Sequence, residues 1–313
     1  MTEPINAPPS PWDNLNFEPK VNKLNVASGT DADVLKALLD DQDTMPWETI
    51  TLPSCGLYYG AKIPGGVVQV RPMGIDTDKI LATQRLAQSG KALDYLFKKC
   101  IKFPNEFDPL DLLAGDRTFI LYYLRGITHG NMYEYAHECP NKECGLTSTH
   151  TYDMNNLVSK IQGPKNDLGD EPFRIELPYL SKSAGRPVWV KVRLLRGSDV
   201  QRMVAQLGVK ARMRRDIDAK GEPIGLDETI SQNMYDVITE VMGDKNPATI
   251  KKIVDKLHSM DSATIRTFLS EAAPGIDATI DTTCTTCGNV TRMELPITES
   301  FFRPSKPVGL AKG

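Results

Sequence analysis

Two cysteine pairs constrain this chain more than any other feature. Cys139 and Cys144 stand in HECPNKECGL, Cys284 and Cys287 in TTCTTCGN. Each pair lies between two runs of strand-forming residues: MYEYAHE and LTSTHTY around the first, ATIDTT and NVTRMELPI around the second. A strand, a tight turn carrying two thiols and a returning strand make a knuckle hairpin. In both pairs a glycine follows the second cysteine, Gly145 and Gly288, and suits the turn. Two facing knuckles supply four thiolates, the tetrahedral set that structural zinc prefers. Such a closed shell leaves no position for water. The ion expected at Cys139, Cys144, Cys284 and Cys287 is therefore a structural Zn2+ and not a hydrolytic one. Residues 145–283 separate the two inner cysteines. One shared ion thus requires a whole subdomain inserted between the halves of a split zinc ribbon.

Other readings of these residues stay open. The pairs can be reduced or adventitiously oxidised thiols. A redox CxxC would open a helix after a strand, which neither pair does. His137 and His150 lie close enough in sequence to replace a cysteine as ligand, although as hairpin residues they need no such role. Cys55 and Cys100 read as ordinary core or surface thiols.

Hydrophobic residues make up 40% and charged residues 25% of the 313, a balance that lets a globular chain bury a core. The net charge of −3 gives no basic excess that would point to nucleic acid. No apolar run approaches the ~20 residues that span a bilayer. The opening MTEPINAPPSPWDNLNFEPK has neither a basic nor an apolar signal region, so no secretory signal is expected. Paired cysteines without such a signal favour metal in a reducing compartment over disulfides.

The pattern predicts an α+β chain of small β-hairpins and helical subdomains in six segments. Residues 1–46 read as an extended arm with aromatic anchors Trp12 and Phe17, either disordered or ordering on a neighbouring subunit. Within it, Asp31 to Asp40 forms a short helix with Val34, Leu35, Leu38 and Leu39 as its apolar stripe. Residues 47–130 hold a β-hairpin followed by helices over 76–88, 91–101 and 115–128, the last apolar enough to be a core element. Residues 131–153 and 276–303 are the two halves of the zinc ribbon. Between them, 154–275 are the insert: a short helix, a hairpin of 173–177 with 188–194 joined by a turn, and helices over 198–215, 227–242, 247–258 and 262–272. Asp261 or Ser262 caps the last helix. Residues 304–313 are an irregular tail.

Little in the chain suggests catalysis. No histidine has a matched serine or cysteine and carboxylate. Gly65-Gly66 is a hairpin turn, since no phosphate-loop motif surrounds it. His129 and His258 fall at helix ends, where a cation suits the macrodipole. The basic run Lys210 to Arg215 reads as a solvated helix face or as a patch for an acidic partner.

Four stretches occur in a telling order. They are TLPSCGLYYG at 51–60, VVQVRPM at 67–73, ATQRLAQSGKAL at 82–93 and LLAGDR at 112–117, with the first knuckle after them. This series resembles the T4-type baseplate protein family of tailed bacteriophages. The likeness is dense over about 47–150. From about 172 it is one of pattern: hairpin, helices, second CxxCG. The chain departs from the family in the four residues between Cys139 and Cys144, where CxxC is usual, and in its long arm. The resemblance implies a structural component of a contractile-tail baseplate, at the hub or inner ring. It would be assembled in the host cytoplasm, reside in the virion, and contact other baseplate and tail subunits through its arm and outer faces. It implies no enzyme, no membrane span and no nucleic-acid partner. Two competitors remain. One is a baseplate assembly chaperone or catalyst absent from the mature particle. The other is a zinc-ribbon nucleic-acid binder, for which Lys142 and Arg292 are the only basic residues around the knuckles.

Overall fold

An extended, proline-rich segment cannot bury itself, so it needs a surface, and residues 10–26 find one on their own chain. In the computed structural model, which describes residues 10–26, 30–39, 44–83, 91–205 and 229–304, Phe17 is fully buried. Its ring lies 5.8 Å from that of Tyr123. Gly126 makes room for it, because a Cβ there would stand 2.4 Å from the Phe17 Cβ. The Phe17 N–H donates to Asn155 Oδ1 at 3.0 Å, and Trp12 Nε1 donates to the Thr51 carbonyl at 2.9 Å. Both aromatic anchors therefore sit on the body, a third outcome beside disorder and a neighbour's surface. Asn22 N–H donates to the Thr44 carbonyl at 3.1 Å and closes the base of an excursion that carries helix α1 (Asp31–Leu39).

The body begins with an antiparallel sheet of β1 (Glu48–Thr51), β2 (Val67–Val70) and β3 (Ile101–Lys102), with Glu48 opposite Val70 and Gln69 opposite Lys102. Helices α2 (Ile75–Leu81) and α3 (Ala92–Cys100) pack on each other. Next comes α4 (Ala114–His129), in which every residue from Phe119 to Ile127 is buried. A helix covered on all sides must be apolar on all sides, hence its sequence. Two of its buried polar side chains reach carbonyls: Tyr122 Oη donates to that of Leu295 at 2.7 Å, and Arg125 to that of Gly130 at 3.0 Å.

Two hairpins follow, separated by the insert. The first pairs β4 (Met132–Glu138) with β5 (Thr147–Asp153); the second pairs β11 (Thr279–Thr283) with β12 (Val290–Glu294). The insert leaves through β6 (Ile161–Gln162) and returns through β10 (Gly275–Ile276). These two strands pair with each other, Ile161 opposite Ile276, and form a neck. Inside the insert, β7 (Phe173–Glu176), β8 (Trp189–Val192) and β9 (Ile238–Val241) form an antiparallel sheet in that order. Helices α5 (Pro178–Ala184), α6 (197–205), α7 (Thr229–Val237), α8 (Pro247–Val254) and α9 (Ser259–Ala272) accompany it. A short α10 (Glu299–Phe302) completes the described chain. The insert is fastened to α4 as well as closed at its neck. Ala114 N–H donates to the Leu195 carbonyl and Gly197 N–H to that of Leu112, both at 2.8 Å. Gly115 meets Pro274 so closely that a Cβ would lie 1.9 Å from the Pro274 oxygen.

Mixed helices and small antiparallel sheets are thus what the pattern predicted, with local differences. β7 and β8 are joined through α5 and not by a tight turn. The helix read over 227–242 stops at Val237, and Ile238–Val241 becomes a third strand. Helix α9 starts at Ser259, earlier than predicted. Its cap is His258, whose Nδ1 accepts the Met260 N–H at 3.2 Å. Asp261 is buried and accepts the Tyr179 and Leu180 N–H groups instead. His258 stands at a helix N-terminus, where the macrodipole disfavours a cation, so the macrodipole argument fails for it. It fails for His129 too: burial, aided by Arg125, lowers the imidazole pKa, and Nε2 lies 2.9 Å from the Phe302 carbonyl. Residues 84–90 and 206–228, including the basic run 210–215, lie outside the described residues. Among the described residues, no helix is long and apolar enough to cross a membrane.

Candidate metal centre

Seven residues at about 3.3 Å each carry β4 and β5 roughly 23 Å from the body to their turn. The second hairpin faces the first. The Tyr135 and Thr282 hydroxyls, both in buried residues, bond at 2.7 Å across the gap. At the tips the sulfurs of Cys139, Cys144, Cys284 and Cys287 all lie within 4.8 Å of one another. Cys139 and Cys287 are 3.5 Å apart, Cys144 and Cys284 3.8 Å. A tetrahedron with metal–sulfur bonds of ~2.3 Å has edges of about 3.8 Å, so the spacing fits a thiolate-bound ion.

The turns explain how unequal loops reach equal spacing. In the first, the N–H groups of Cys144 and Gly145 both donate to the Asn141 carbonyl at 2.9 Å, and Asn141 Oδ1 accepts the Glu143 N–H at 3.1 Å. The two extra residues are absorbed within that turn. In the second, Gly288 N–H donates to the Cys284 carbonyl at 3.0 Å. Gly145 and Gly288 have φ of +54° and +71°, the left-handed region that glycine enters without strain.

Electrostatics favour a central cation. At Cys284 the backbone N–H groups of Cys287 and Thr286 lower the thiol pKa to about 6. At Cys139 the Asn141 N–H acts in the same sense, but desolvation and the adjoining sulfurs outweigh it and push that thiol up to about 12. One proton therefore leaves readily while further negative charge is resisted, the behaviour of thiols crowded into one site. Cys139 and Cys284 are buried, Cys144 half-buried and Cys287 exposed. The histidines stand apart from the four sulfurs. His150 Nε2 pairs with Ser148 Oγ at 2.7 Å, and its ring stacks on Tyr135. His137 Nε2 is buried with no partner among the described residues. Cys100 is a buried core thiol, pushed up to about 12 by desolvation.

A second constellation joins the stretches that carried the resemblance. Asp116 is buried and accepts the Ser54 N–H at 2.9 Å and the Tyr59 hydroxyl at 2.6 Å. Tyr59 Oη accepts the Leu113 N–H at 2.8 Å. Next to it, Arg117 pairs with Asp94 at 2.8 Å, both nearly buried, and donates to the Pro109 carbonyl at 2.7 Å. Its guanidinium lies over the Phe97 ring. Segments near 54–59, 94–97 and 109–117 thus close on one polar node. Desolvation raises the Asp116 pKa to about 6. These residues passed unremarked in the sequence because periodicity registers apolar positions and not the charged pairs between them. The GDR triplet was the available signal.

No curated protein and no solved structure matches this chain. A family model described as T4 bacteriophage base plate protein matches residues 58–303. That span takes in both cysteine pairs, the insert and most of the polar node, well past the region near 150 where the motifs end. The chain belongs to the T4 bacteriophage base plate protein family.

Proposed function

We propose that the protein is a structural subunit of a contractile-tail baseplate, at the hub or inner ring, stiffened by one structural Zn2+. The observation that carries the metal is the meeting of four cysteine sulfurs from hairpins far apart in sequence. Family membership carries the baseplate assignment and makes other baseplate subunits its partners. In this reading Cys139, Cys144, Cys284 and Cys287 hold the ion, and the Tyr135–Thr282 bond sets the distance between the hairpins. Bound zinc offsets half of the charge on the four thiolates and closes their shell; metal binding of this kind contributes roughly 10 kcal/mol in small domains. The insert has its own neck and its own seat on α4. The ion therefore governs the far ends of the hairpins and not the closure of the insert. The protein acts by shape and contact and not by catalysis, and it belongs in the finished tail.

Metal quantification on freshly purified chain should give about one zinc per molecule. Cys284→Ser should bring this below one per two molecules and reduce incorporation into particles. A metal-free wild-type protein would overturn the zinc reading. Mass spectrometry of purified virions tests the rest: stoichiometric copies are expected. Complete absence would replace the structural role with that of an assembly factor.

A further inference from the structure

Helix α1 is turned inside out with respect to its sequence. Three of its four stripe residues, Leu35, Leu38 and Leu39, are 58%, 54% and 74% exposed. At about 100° per residue they share one arc of roughly 100°. The helix rests on its own molecule through Ala37, which is buried, so the leucine arc points away. The Asn22–Thr44 bond closes the base of this excursion. An apolar stripe held outward on a fastened projection is the form in which a helix enters another protein's groove.

The same chain offers such a groove. A cavity of about 310 Å³ opens where the insert meets the start of α4, walled by Leu113, Gly115, Leu194, Met234, Val237 and Leu269. Apolar cavities of about 150 Å³ already admit a benzene ring, so this one takes two leucine side chains. Asn233 Oδ1 lies in its wall, buried and without a partner among the described residues. Arg266, an exposed residue of α9, stands at its mouth. The first turn of α1 carries Asp31 and Asp33, charge opposite to that of Arg266.

We propose that α1 of one copy docks its leucine arc into this groove of a second copy, with its acidic first turn toward Arg266. The contact is head-to-tail, so successive copies close into a ring or extend as a chain. It extends the baseplate reading but requires neither the zinc nor a place in the virion.

Sedimentation velocity on the full chain, from roughly 1 to 100 µM, tests it. Wild type should associate with rising concentration. Leu38→Asp, a change at an exposed position, should weaken association at least about tenfold. Ser270→Trp, which plugs the groove from another exposed position, should do the same. Circular dichroism checks that both variants fold. The two variants mixed should form a 1:1 dimer and nothing larger, since one intact helix then meets one intact groove. A wild type that stays monomeric, a Leu38→Asp variant that associates normally, or a folded mixture that stays monomeric would each overturn the proposal.

Discussion

Asp116 gives the most quantitative handle on this fold. Its carboxyl is fully buried, and burial raises its pKa from 3.8 to about 6. The shift of about 2.2 units corresponds to about 3 kcal/mol between the two protonation states. For an acid with a raised folded-state pKa, the protonated form is the one the fold prefers. The stabilising contribution is complete below the unfolded pKa of 3.8 and is lost as pH rises through about 6. Integrating between these values, about 2 kcal/mol should disappear between pH 4.5 and pH 7.5. The perturbation is Asp116→Asn. It keeps the shape and an acceptor for the Ser54 N–H while removing the titration. The assay is urea unfolding of wild type and variant at half-unit pH intervals, read as the difference between them, so that all other groups cancel. Wild-type stability should fall relative to the variant by about 2 kcal/mol across the window, most steeply near pH 5. A difference that stays flat would refute the argument, since it would mean that Asp116 is not desolvated in the folded chain.

Two further outcomes follow from packing. Phe17→Ala empties a fully buried seat against Tyr123 and Gly126 and should cost about 3–5 kcal/mol in chemical denaturation, although the residue lies in the arm. A loss below 1 kcal/mol would show that the arm is not part of the folded unit. Gly115→Ala drives a methyl into the Pro274 oxygen and should cost about 1–3 kcal/mol. It should also raise protease sensitivity within the insert before the hairpins.

What could be read in advance, and what could not, divides along physical lines. Helix α4 was legible because full burial leaves the apolar run Phe119 to Leu124, and the knuckles because thiol spacing and a following glycine are local necessities. The stretch Val237-Ile238-Thr239-Glu240-Val241-Met242 satisfies both the helical and the alternating period, so the end of α7 was missed. The β-branched run Val-Ile-Thr was the clue to β9. Two-residue strands such as β6 and β10 have no period at all; only the closure of the whole insert makes them pair. Asp261 resembled a cap by position, yet the neighbouring α5 claims its carboxylate with two N–H groups. Of the candidate site, the four cysteines stand out by their spacing and the structure brings their sulfurs together, whereas the partners of Asp116, Arg117 and Asp94 show only when distant segments meet.

The pairing of Ile161 with Ile276 makes the insert a cassette. Its two ends lie one strand spacing apart, about 5 Å. The hairpins beyond the neck are set by that separation, while the insert keeps its second seat on α4. Changes confined to the parts of the insert away from the neck and the α4 seat thus alter the faces shown to neighbours and leave the cysteine tips in place.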